Sequence, residues 1–164
     1  MIDTFRLRVI KALCAHIETI SVAGGYQHDL AGKVVRGRIT LTEEDGAPPI
    51  IAVNEKPVFP ENLQGHGSGA SGTKLELLIQ GFAADDRKNP TDPAYPLLGD
   101  VQKCLALEKL RDDGYDLFGF KSRVMSLDVG QGVVRPPDGV VADTAFFWLP
   151  VTLEIGEKFN DPIA

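Results

Sequence analysis

The stretch Gly67-Ser68-Gly69-Ala70-Ser71-Gly72-Thr73-Lys74 combines the residue types and spacings of several phosphate-binding loops. Its glycines fit the G-x-G-x-x-G pattern of dinucleotide folds and of the kinase lid, and it misses the G-x-x-x-x-G-K-[ST] loop because Thr73 precedes Lys74. Such loops bind phosphate by running from a strand straight into a helix, whose N-terminal amides face the anion. Here an alternating, strand-like segment follows instead. The kinase version does lie between strands, but no H-R-D or D-F-G follows it, and the rest of the chain is too short for a catalytic lobe. A flexible loop is the expected role.

Other constellations are equally sparse. Gly69-Ala70-Ser71-Gly72-Thr73 lacks the last glycine of the G-x-S-x-G elbow. His16, His28 and His66 have no second ligand at metal spacing, and Cys14 and Cys104 have no C-x-x-C partner, so surface or capping histidines and buried reduced thiols are expected. The acidic runs Glu43-Glu44-Asp45, Asp85-Asp86 and Asp112-Asp113 are adjacent residues in turns, which do not face one another as an acid/base pair must. No catalytic residue, cofactor or metal is expected. Arg36 and Arg38 are different: alternate positions on a strand would present two guanidiniums together, either as an exposed face or as an ion-pairing contact with another subunit.

The elements that would position these residues follow from periodicity. Phe5, Val9, Leu13 and Ile17 recur at helical steps over residues 3–20, after a candidate N-cap at Asp3. Val34 to Thr42 alternates as a strand, Glu43-Glu44-Asp45-Gly46 is a turn, and Pro49 to Val53 is a short buried strand, which together predict a hairpin. An extended Pro/Gly-rich loop runs over about 55–72, with a further strand from Thr73 to Phe82. Asp92-Pro93 opens a second helix that carries Leu97, Val101, Cys104, Leu105 and Leu107 and ends at Asp112-Asp113-Gly114. Tyr115 to Val129 holds one or two strands, Arg135 to Gly139 a turn, and Ala145 to Ile155 a last strand, in which Pro150 disfavours a fully paired central place. The expected fold is α+β: a mostly antiparallel sheet with two main helices packed on one face, forming a single domain over residues 1–164.

Composition bounds the partners. With 164 residues, 43% hydrophobic and 24% charged, the chain suits one globular domain, and no window approaches a membrane span. The charged start of the sequence is unlike a signal peptide, which leads to the expectation of a cytoplasmic protein. A net charge of −6 argues against broad nucleic-acid binding, which requires a basic face.

Taken in order, several segments resemble one family. The N-terminal amphipathic helix, Thr19-Ile20, Gly25-Tyr26 with His28-Asp29-Leu30, and Val34-Val35-Arg36-Gly37-Arg38 resemble the opening of tail terminator (tail completion) proteins of long-tailed bacteriophages. Pro49-Ile50-Ile51-Ala52-Val53, the strand ending Leu77-Leu78-Ile79-Gln80-Gly81-Phe82, and Asn89-Pro90 leading to Ala94-Tyr95-Pro96-Leu97-Leu98-Gly99-Asp100-Val101-Gln102-Lys103 continue the likeness. The resemblance implies a non-enzymatic virion protein, assembled in the host cytoplasm, that caps the completed tail tube as a homo-hexameric ring. Such a ring stops tube polymerisation and offers a docking surface to neck or head-completion proteins. DNA would pass through it without sequence-specific binding, helped by an acidic lumen.

Under that reading the subunit or tube interface is expected at Arg36, Arg38, Glu43, Glu44 and Asp45, with the basic pair meeting an acidic turn on the next protomer. It is expected also in the glycine-rich loop, at Val58, Phe59, Leu63, His66 and Gly69. A neck or head-tail connector subunit of similar build is the alternative. A small phosphate-binding enzyme using Gly67 to Lys74 is the alternative from another class.

Overall fold

The computed structural model describes residues 1–56 and 70–164, except for the side chains of Ala70 and Ser71. Two α-helices, α1 (Phe5–Glu18) and α2 (Ala94–Leu110), accompany six strands: β1 (Val34–Arg36), β2 (Ile50–Glu55), β3 (Ala70–Phe82), β4 (Val124–Val129), β5 (Val133–Arg135) and β6 (Phe146–Lys158). The sheet order is β1-β2-β3-β6-β4, with β5 also pairing β6, and every pairing except β1 with β2 is antiparallel. This is the expected α+β class. No helix among the described residues is long and apolar enough to cross a membrane.

α1 forms because its apolar residues share one stripe: Phe5, Val9, Leu13, Cys14 and Ile17 are all buried. Its N-cap is Thr4, whose Oγ1 accepts from Leu7 N–H at 3.3 Å, not the expected Asp3; Asp3 instead pairs with Lys11 at 2.6 Å. α2 buries Leu97, Leu98, Val101, Cys104 and Leu105. Leu107, read from the sequence as part of that stripe, points outward and is half exposed. Both helices share one core with the inward residues of β2, β3 and β6, from Ile51 and Val53 through Leu77 and Ile79 to Phe147, Leu149 and Val151. Gly81 is required there because a Cβ would stand 2.0 Å from the Phe147 ring.

The expected hairpin between Val34–Thr42 and Pro49–Val53 does not form. β1 stops at Arg36 because Gly37 turns left-handed at φ 71°, and β1 lies parallel to β2, Val34 opposite Ile51 and Arg36 opposite Val53. The connecting segment crosses the sheet face away from the helices, where Leu41 packs against a smaller core of Ala52, Phe82, Ala142 and Phe146. Tyr115 to Val129 holds one strand, since residues 115–123 are spent in 3-10 turns with Phe118 and Lys121 at positive φ.

Arg135 ends β5 rather than opening a turn; the turn lies just beyond, where Asp138 Oδ1 accepts from Val140 and Val141 N–H at 2.9 and 2.7 Å. Pro150 does occupy a central strand. Its carbonyl accepts from Gly130 N–H at 2.8 Å, and a strand residue's N and O point to the same side, so its missing donor faces the gap between β4 and β5. The ladder to β3, where Pro150 lies opposite Leu78, is therefore uninterrupted.

Candidate functional site

The ending of β1 at Arg36 leaves a recess. Among the described residues no strand lies beside Asn54 and Glu55 of β2 on that side, and the chain after Gly37 leaves a cleft of about 490 Å³. Ile10, Ile39, Val53, Leu78, Val141 and Trp148 give it apolar walls; Arg36, Asn54, Glu55 and Gln80 supply the polar groups. Asn54 Nδ2 donates to Arg38 O at 2.8 Å and to Gln80 Oε1 at 3.1 Å, fixing the floor and keeping buried Gln80 partnered. Trp148 packs on Phe146 at 5.7 Å between centroids, and the Arg135 guanidinium lies 5.7 Å from its ring centre. Glu55 lies 4.0 Å from Arg6, whereas Arg36 makes no ion pair among the described residues. Among the described residues the cleft thus offers an incoming group apolar contact area, with Arg36 and Glu55 as its charged groups.

The basic and acidic residues expected at an interface are arranged differently from the strand reading. Gly37 breaks the alternation, so Arg36 and Arg38 do not stand side by side on one strand face. Arg38 Nε meets Asp45 Oδ1 at 3.2 Å within the same chain. Glu43, Glu44 and Asp45 form a 3-10 turn in which Thr42 N–H donates to Asp45 Oδ2 at 2.8 Å. That bond, aided by the Thr42 hydroxyl and Arg38, holds the Asp45 carboxyl below its ordinary range. Glu43 and Glu44 remain exposed. Val58, Phe59, Leu63, His66 and Gly69 lie outside the described residues, as does most of the expected 55–72 loop. Gly72, Thr73 and Lys74 sit inside β3, paired with Gly156, Ile155 and Glu154, so the glycines lead into a sheet ladder and not to a helix N-terminus.

Asp100 and Glu108 are buried carboxylates. Asp100 accepts from Gln27 N–H at 3.2 and 3.0 Å and from His28 Nδ1 at 2.7 Å, pinning the segment after α1 to α2. Glu108 takes both Arg111 Nε and Nη2, at 3.1 and 2.9 Å, and Phe118 N–H at 2.7 Å. Burial pushes the Glu108 carboxyl up, but those donors outweigh it and leave it below its ordinary value. The signal was available: Asp100, Cys104 and Glu108 recur at i+4 steps on the apolar stripe, where a carboxylate must find partners.

His16 Nε2 donates to Cys104 O at 3.2 Å, and Cys104 Sγ to His16 O at 3.5 Å, tying the two helices together. Both cysteines are free and buried; burial pushes the Cys14 thiol up to about 11 and raises Cys104 as well. Among the described residues no three His, Cys, Asp or Glu side chains gather as metal ligands. These polar clusters hold segments in place, which leaves the cleft as the candidate site among the described residues. Neither a protein-family model nor a curated protein matches this chain.

Proposed function

We propose that this protein is a virion structural protein of the tail-terminator kind, which caps a completed tail tube as a ring, stops its growth and presents a docking surface to neck or head-completion proteins. The observation that carries the reading is the cleft: an apolar recess lined by Arg36, which makes no ion pair among the described residues, beside the end of an edge strand, suits contact with another protein chain. The sequence resemblance supplies the kind of assembly. Its segments fall on α1, β1, β2, β3 and the first half of α2. The net charge of −6 per chain suits a ring through which DNA passes without sticking.

The test is a growth-arrest assay. Tail-tube subunits are allowed to polymerise with increasing amounts of this protein, and tube lengths are measured. The expected outcome is a length distribution cut short at one ring equivalent per tube. Unchanged lengths at large excess would reject the reading.

A further inference from the structure

The domain carries a second exposed apolar surface, at the C-terminal end of α2. β1 and β4 end the strand order; α1 packs beside β1, while α2 lies across β3, β6 and β4 and the turn Arg111–Gly114 that follows it packs beside β4. At that far end Leu107 and Leu110, one helical step apart on α2, and Tyr115 just beyond are exposed, Leu110 by 74% and Tyr115 by 68%. Between them Asp112 and Asp113 adopt positive φ of 48° and 53°, a conformation costly for residues with a Cβ. Asp112 already faces Arg111 at 3.4 Å; Asp113 makes no ion pair among the described residues.

The two surfaces are complementary. One is a recess with apolar walls and carries Arg36; the other exposes Leu107, Leu110 and Tyr115 and carries Asp113; neither Arg36 nor Asp113 makes an ion pair among the described residues. Two different patches, one at the β1–β2 end of the strand order and one beside β4, define a head-to-tail contact, the type that closes into a ring. We propose that the cleft receives the C-terminal end of α2 from a second copy of this chain, with Leu110 and Tyr115 against its apolar wall and Asp113 against Arg36. This rests on the ring reading and deepens it by naming the two surfaces.

Ile39, 68% exposed on the cleft rim, and Leu110 can each be changed to aspartate without touching the buried core. Full-length chains are followed by sedimentation, alone and with polymerising tube subunits, after circular dichroism has verified folding. Ile39→Asp and Leu110→Asp should each weaken self-association at least about tenfold, as loss of an apolar anchor does. An equimolar mixture of the two, having one intact surface each, should stop at a 1:1 dimer. Arg36→Asp should weaken assembly, and adding Asp113→Arg to the same chain should restore it.

Rings formed normally by both aspartate variants would overturn this interface and leave the ring reading standing. Variants that fail alone and also fail to dimerise when mixed, with no rescue by the charge exchange, would overturn the pairing of these surfaces. A wild-type chain that forms no ring under either condition would overturn the ring reading and this interface together.

Discussion

The two faces of the sheet are built from alternate residues of the same strands, and they have opposite fates. Toward the helices, Leu75, Leu77 and Ile79 of β3 and Phe147, Leu149, Val151, Leu153 and Ile155 of β6 are all buried, forming one unbroken core with α1 and α2. On the reverse side, among the described residues, one end is covered: Phe82, Phe146 and Ala52 are buried by the segments after β1 and β5, while Lys74 and Glu76 face solvent and Leu78, Thr152 and Glu154 are half-buried. The first face therefore carries the fold's cohesion. The second is free to carry contacts outside the chain, and its cleft sits where the small covered patch gives way to the open end.

The sharpest way to break this contrast is to cut the covered face. Leu149→Ala should cost about 3–5 kcal/mol, as buried leucine truncations do, with a matching fall in the midpoint of chemical denaturation. Gly81→Ala tests the same face from the opposite direction. Its Cβ would enter the space of the Phe147 ring, and the loss should be about 3 kcal/mol, from overpacking.

Glu108→Gln removes the charge that holds Arg111 and Phe118 N–H and should cost about 1 kcal/mol at neutral pH. It also sharpens the picture through pH. Because the folded carboxyl titrates below its ordinary 4.5, its contribution is fully present above that value and disappears as pH falls through the lower folded value. The wild type should consequently lose more stability than Glu108→Gln in acid denaturation below pH 4.5. On the open face Lys74→Ala should change stability by less than about 0.5 kcal/mol in the same denaturation experiment.

Periodicity made the covered face legible. The i+4 run from Phe5 to Ile17 and the alternation of Leu75, Leu77 and Ile79 report burial directly, because a face that packs must be apolar throughout. The cleft was not legible, for reasons that lie in single residues. Val34 to Thr42 alternates well enough to suggest a strand of full length, and only the φ of Gly37, which sequence does not specify, ends it at Arg36. The parallel pairing of β1 with β2 is a choice of topology that a short loop pattern does not encode. Pro150 misled in another way: it forbids one hydrogen bond on one side of the strand, and the fold turns that side toward the β4–β5 gap. At the end of α2, Leu107 passed for core because its type fits the stripe, although the helix turns it outward.

The most direct test of the proposed capping role is to image tail tubes by negative-stain electron microscopy after incubation with this protein. The expected result is a ring of density at one end of each tube, with added tube subunits extending only the uncapped end. Bare tubes whose two ends both continue to grow would contradict it.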